Sequence, residues 1–431
     1  MRLAFVSPLP PLPSGVADYT AELLDLVATH HEIELFHGQE TVDRARLPEG
    51  MPLRPAGRFL ERHKSRPFDL AVYQLGNGPS HDFVYDLVSR VPGLLVLHDL
   101  VLHHARAAQF LEAEPVRAWR ADPGNVAARE RAKPVLEAWR AELEYSYPGQ
   151  GERLFAAQLG TVGDLLPYAY PLFRIPVEAS RLVAVHNRFM AEAVRAEVPE
   201  VPVECVPMPV GRVAVDARAV AELRARLGFD ASHLVVGVFG LLTPEKRPLA
   251  VARAVAHAAG AHPGLRLLLV GPVPDPKRLE SELERLGVRT RTVLTGRIPL
   301  PELAAHIEAA DLVAHLRYPT ARETSAALLR VLAQGRPTIV SDLEQQADLP
   351  QEAVLRVDLA DEEAALSAAL LRLVGDAALR RELGHAAAGF VSREHAPERV
   401  GAAWQGVFER ARQRPAPVPR DWPAAWPRPE A

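Results

Sequence analysis

The chain has 431 residues, 48% of them hydrophobic and 24% charged, with a formal net charge of −4. That length exceeds one ordinary core and predicts two domains, while the charge balance excludes a basic nucleic-acid surface and a like-charged interaction tail. Cys205 is the only cysteine, which excludes an intrachain disulfide framework and a multi-cysteine zinc site. Its place in the apolar run 203–206 predicts a buried strand position. Residues 1–6 are apolar for too few positions before prolines intervene to make a signal-peptide core. No run is long enough to span a bilayer. Both features, with the scarcity of cysteine, predict a cytoplasmic protein.

Taken in chain order, short apolar runs at 3–6, 33–36, 70–73, 94–97, 183–185 and 203–206 predict the strands of a first half. Runs at 234–239, 266–270, 292–294, 312–315, 338–340 and 354–357 predict those of a second. Near-continuous apolar strands suit parallel sheets covered on both faces. Helical patterns lie between them: Val16, Leu23, Leu24 and Val27 share one face, as do Leu303, Ile307 and Ala310. Strand–helix alternation running twice predicts a doubly wound α/β architecture, with the break at 207–212, where Pro-Met-Pro-Val-Gly-Arg punctuates the chain. The expected domains are therefore 1–207 and 208–396. A helix at 397–412 returns to the first domain, and a Pro/Trp-rich tail at 413–431 is expected to be disordered. Few strand signals occur at about 103–180, which reads as a helical insertion. Its aromatics Phe155, Tyr168, Tyr170 and Phe173 suit packing inside the domain better than a face for an acceptor or a membrane surface.

Four polar segments follow apolar runs, where α/β proteins place ligands. In Pro13-Ser14-Gly15-Val16-Ala17-Asp18-Tyr19, Gly15 opens a helix whose amides and dipole suit a phosphate; a tight-turn glycine is the plainer reading, and G-x-G-x-x-G is absent. His98-Asp99 ends a strand, so His98 suits hydrogen bonding to a sugar or phosphate, or a base role. A metal pair there needs further ligands, and His103 and His104 read instead as exposed helix-start residues. Gly240-Leu241-Leu242-Thr243-Pro244-Glu245-Lys246-Arg247 offers the Lys246 ammonium to a leaving diphosphate, against the bland alternative of a solvated loop charge. In Arg317-Tyr318-Pro319-Thr320-Ala321-Arg322-Glu323-Thr324-Ser325, Thr324 and Ser325 suit a helix cap that leaves amides facing an anion. No Asp-x-Asp occurs, so no metal-held donor and no cofactor are expected.

In this order and spacing the segments resemble the retaining glycosyltransferases of family four, over nearly the whole chain to about Arg412. Gly296-Arg297 before a helix, the run 309–313 and Gly335-x-Pro337 extend the match. The resemblance implies a GT-B fold: two Rossmann-like domains facing a cleft, donor mainly on the second and acceptor entering from the first. It implies retaining transfer of a sugar from a nucleotide diphosphate to a hydroxyl of a glycan or lipid-linked acceptor, in polysaccharide or glycolipid biosynthesis, with peripheral contact at the inner membrane surface. Retention in this family is explained by front-face attack, and no carboxylate stands out in the sequence as a nucleophile.

Carried over by position, Gly15 faces the donor phosphates, His98 the reacting sugar and Lys246 the diphosphate. Two departures stand out. Leu241 occupies the place of an arginine, and Arg322 and Arg330 occupy the places of two glutamates, with Glu323 one position off. The expected catalytic set is His98, Lys246 and Glu323. The expected donor site is Gly15, Lys246, Arg322, Glu323, Thr324, Ser325 and Arg330, with Arg330 turned from ribose to phosphate. Asp18, Tyr19, His98 and Asp99 are expected on the acceptor side. The rival readings are a silent sugar-nucleotide or glycan-binding subunit and a sugar-nucleotide epimerase.

Overall fold

The computed structural model describes residues 1–160, 165–418 and 420–428. The chain forms two compact units: Met1–Pro209 with Ala321–Thr324 and Glu398–Ala431, and Val210–Thr320 with Ser325–Pro397.

The first unit is built on a seven-stranded sheet of β1 (Arg2–Val6), β2 (Glu32–His37), β3 (Leu53–Pro55), β4 (Leu70–Leu75), β5 (Leu94–Leu97), β6 (Leu182–Val185) and β7 (Val203–Cys205), ordered β3-β2-β1-β4-β5-β6-β7. Every pairing is parallel; Leu3 faces Ile33 on one side and Leu70 on the other. Strand order reverses between β1 and β4, so their carboxyl ends form a topological switch point. The helix Gly15–Val27 follows β1 and buries Val16, Leu23, Leu24 and Val27, the face set by its apolar spacing. β3 escapes the apolar-run criterion because Leu-Arg-Pro is a short, largely exposed edge strand. Cys205 corrects the expectation of burial: β7 is an edge strand with only β6 beside it, and the thiol at its end is exposed.

Between β5 and β6 the insertion forms the helices His103–Leu111, Glu114–Ala121, Val126–Ser146, Gly151–Leu159, Leu166–Ala169 and Arg174–Glu178. Phe110, Trp139, Leu143, Leu154, Phe155 and Leu172 give it a core of its own. Phe155 and Phe173 are buried, and the rings of Tyr168 and Tyr170 lie 5.0 Å from His104 and Tyr147. These aromatics pack internally. His103 corrects its reading as an exposed residue: it is fully buried, with Nδ1 2.5 Å from the Tyr170 carbonyl and Nε2 against the Gln158 amide.

The helix Pro397–Gln413 lies in the first unit, where Phe408 meets Phe5 edge-on at 6.0 Å and Trp404 is fully buried. Residues 414–418 and 420–428 of the tail beyond it depart from the expectation of disorder, and the rest of that tail lies outside the described residues. Trp422 and Trp426 are 4% and 3% exposed. Trp422 Nε1 donates to Glu178 Oε2 at 2.9 Å, and Trp426 Nε1 to Glu142 Oε2 at 2.9 Å. Both glutamates are buried and also bind arginine, Glu178 through Arg174 and Arg420 and Glu142 through Arg106. A proline-rich composition is unfavourable to helix or sheet, yet two indoles that fill apolar space and satisfy buried carboxylates outweigh it.

The second unit holds a six-stranded sheet of β8 (Leu234–Phe239), β9 (Leu265–Val270), β10 (Thr292–Gly296), β11 (Leu312–His315), β12 (Thr338–Ser341) and β13 (Val354–Val357), ordered β10-β9-β8-β11-β12-β13 and parallel throughout. Its switch point lies between β8 and β11. One face buries Val251, Val255, Leu269 and Leu370, the other Phe239, Leu268, Ile307 and Val331. Among the described residues no helix is long and apolar enough to cross a membrane.

Candidate functional site

At the switch point of the second sheet the chain leaves β8 through Gly240, whose φ of +107° suits glycine. Gly271 leaves β9 beside it, and a Cβ there would sit 1.9 Å from the Gly240 carbonyl oxygen, so the two turns touch backbone to backbone. The chain then coils through the single turn Pro244–Lys246. This returns the Lys246 ammonium over Gly240, where Nζ donates to the Phe239 carbonyl at 3.3 Å. A Cβ on Gly240 would lie 2.2 Å from that Nζ. Arg247 adopts a left-handed conformation with φ +57°, held by its guanidinium on the Glu362 carboxylate.

The loop after β11 closes on this turn. Tyr318 N–H donates to the Glu245 carbonyl at 2.8 Å, and Arg317 N–H donates to Ser341 Oγ at 3.0 Å. The Arg317 guanidinium reaches Ser325 Oγ at 3.3 Å. Ser325 caps the helix Ala326–Ala333 by accepting from Leu328 N–H, so the amides and positive dipole end of that helix open beside the Arg317 guanidinium. Burial and the Arg317 charge push the Lys246 ammonium down to about 7. His315, at the end of β11, is 3% exposed and its Nε2 has no hydrogen-bond partner among the described residues. Burial, then Arg317 and Lys246, hold this imidazole well below its ordinary range.

The second unit thus sets Arg317 against Ser325 and under electrostatic influence with Lys246 and His315; neither Arg317 nor His315 is among the site residues expected from the sequence. Arg330 is the fifth residue of the Ser325-capped helix, half-buried and one turn beyond its amide end. Leu241, standing where the family resemblance calls for arginine, is 50% exposed. Thr324 is not the cap: its hydroxyl meets Asn187 Nδ2 at 3.0 Å, and the Arg322 carbonyl accepts from the same amide at 3.1 Å. Arg322 is left-handed, with φ +64°. Arg322, Glu323 and Thr324 belong to the first unit by their packing.

Around the other switch point, Ser14 caps the helix that Gly15 opens, accepting from Val16 N–H at 3.2 Å, and a Cβ on Gly15 would meet nothing within 4 Å. His98 is buried, with Nε2 donating to Gln74 Oε1 at 2.7 Å. Its ring lies 4.7 Å from Tyr19 and 5.0 Å from His186. Burial, then His186 and His81, keep it neutral at ordinary pH. Asp99 Oδ2 accepts from Asn77 N–H at 2.7 Å, and Asp18 pairs with Arg46 at 3.0 Å. Among the described residues no group of three or more His, Cys, Asp or Glu side chains could hold a metal ion.

Residues 233–376 match the family described as Glycosyl transferases group 1. A 98-residue stretch is 39% identical to D-inositol 3-phosphate glycosyltransferase of Segniliparus rotundus, spanning 22% of each chain. Among solved structures, Anabaena Alr3699/HepE in complex with UDP superposes with a TM-score of 0.64 at 15% identity, covering 95% of this chain and 100% of that one. Sucrose-phosphate synthase from Thermosynechococcus elongatus gives 0.64 at 17%, covering 95% and 98%. WaaG, a glycosyltransferase involved in lipopolysaccharide biosynthesis, gives 0.61 at 15%, covering 94% and 100%. Two parallel Rossmann-like sheets with interleaved helices and these likenesses establish the GT-B fold, and the stretch similar to the glycosyl transferases group 1 family begins at β8 and ends in the helices after β13.

Proposed function

We propose that the chain transfers a sugar, with retention, from a nucleotide diphosphate sugar to a hydroxyl of a glycan or lipid-linked acceptor, in the cytoplasm at the inner membrane surface. The observation that carries this reading is the partly buried Lys246 ammonium, under the charge of an Arg317 that reaches a capped helix N-terminus, inside the segment that matches the glycosyl transferases group 1 family. A departing diphosphate gains negative charge, and preorganised cations and amides at that edge stabilise it more in the transition state than in the ground state. The anomeric C–O bond to phosphate breaks. The acceptor oxygen bonds the anomeric carbon on the same face, and its proton passes to the leaving phosphate oxygen, giving glycoside and nucleoside diphosphate. His98, neutral with Nε2–H committed to Gln74, orients sugar or acceptor rather than carrying charge. Because the sequence has no Asp-x-Asp, the cations do the work a metal does in other transferases.

The test is nucleoside diphosphate release from a donor panel with a mixed acceptor pool, with UDP-glucose first because the Anabaena protein binds it. Acceptor-dependent release with an α-product from an α-donor supports the reading. Binding without turnover would establish the silent subunit instead, and conversion of donor to its epimer without acceptor would establish the epimerase.

A further inference from the structure

We infer that Arg317 and His315 are the diphosphate-binding partners of Lys246 in this chain. This rests on the nucleotide-donor reading above. Three independent features converge on one point in the second unit. The Tyr318-to-Glu245 backbone bond holds the β11 loop against the Lys246 turn, and the Arg317 charge acts on the Lys246 ammonium. Lys246 makes no ion pair among the described residues, its ammonium meeting only the Phe239 carbonyl.

The second feature is His315. A buried ring nitrogen without a partner costs on the order of a lost hydrogen bond. As a neutral imidazole it can present Nε2–H to a phosphate oxygen without adding a third charge. The third is the Ser325 hydroxyl, which aligns the Arg317 guanidinium with the amide end of the Ala326–Ala333 helix. A planar guanidinium so placed suits two phosphate oxygens at once. Arg330 lies farther along that helix, whereas Arg317 lies at its mouth.

Calorimetry with UDP, GDP and ADP, and with the matching nucleosides, tests the assignment on wild type, Arg317→Gln, Arg317→Lys, His315→Leu, His315→Gln and Arg330→Ala. Arg317→Gln and His315→Leu each weaken the preferred diphosphate about 10- to 100-fold, with nucleoside affinity unchanged. His315→Gln, which keeps a donor and the approximate volume, retains most of the affinity, and Arg317→Lys, which keeps the charge but not the planar fork, falls between wild type and Arg317→Gln. Arg330→Ala changes it least. If wild type binds a diphosphate and both Arg317→Gln and His315→Leu bind it equally well, the assignment falls while the donor reading stands. A loss confined to Arg330→Ala overturns it in the same way. If wild type binds no nucleoside diphosphate, both fall together. Unchanged nucleoside binding and melting curves show that each variant is folded.

Discussion

Gly240→Ala separates the position of the Lys246 ammonium from its presence. The added methyl meets two obstacles. The backbone φ of +107° is strained for any side chain, at about 1–3 kcal/mol, and the new Cβ would lie 2.2 Å from Lys246 Nζ. The second is the far end of a flexible side chain, so the fold accommodates it by swinging the ammonium away rather than by breaking packing. Stability therefore falls by the backbone term alone, a drop in Tm of about 2–4 °C per kcal/mol for a unit of this size. Activity suffers more. A displaced donor at the leaving group typically costs on the order of 10²–10³ in rate, so kcat should fall by about two decades with modest thermal loss. Steady-state kinetics on Gly240→Ala, Lys246→Ala and the double variant form a cycle. Because both changes act through one ammonium, the double variant should be no slower than Lys246→Ala. Turnover of Gly240→Ala within about threefold of wild type, or additive losses in the double variant, would refute the reasoning.

Other outcomes follow from the same physics. Burial and Arg317 hold the Lys246 pKa at about 7, below the ordinary 10.5, so the unliganded protein binds fewer protons than the unfolded chain between those values and stability rises with pH across that window. A bound diphosphate recharges the amine, so its affinity should fall as pH rises from about 7 to 9. Calorimetry in buffers of different ionisation heat should show proton uptake; a flat affinity with none would remove Lys246 from the site. Trp426 is buried between Arg106 at 4.6 Å, Tyr85 and Glu142, so Trp426→Ala should cost about 3–5 kcal/mol. A chain ended after Arg414 should melt correspondingly earlier, and equal denaturant midpoints would show the tail to be dispensable. Burial raises the Glu34 pKa, but hydrogen bonds from Arg62, Arg2 and Arg54 outweigh it and hold the carboxyl at about 2 rather than 4.5. Its stabilisation is present above about 4.5 and lost as pH falls through 2. Glu34→Gln should be less stable at neutral pH, with a shallower loss in acid; parallel pH–stability curves would exclude this ion cluster as a contributor. Turnover should survive EDTA, and abolition reversed by Mg²⁺ or Mn²⁺ would end the metal-free mechanism.

Apolar patterning alone carried the architecture. Runs such as 94–97, 234–239 and 312–315 are strands over those residues, because a strand covered on both faces is marked by its own side chains. The turn from Gly240 to Lys246 is likewise local, since the residues that return the ammonium over the glycine lie in one short segment. Arg317 and His315 are not part of it. They join Lys246 only because β11 lies next to β8, a neighbour relation that no local pattern in either segment expresses. The tail shows the same limit more sharply. Its prolines predict disorder by composition, but Trp422 and Trp426 find Glu178 and Glu142, 244 and 284 residues away in the chain. Local patterns record how each segment covers its own apolar surface. Which buried charge meets which donor depends on segments that become neighbours only when the chain is folded, and there the cost of an unpaired buried group selects the partner.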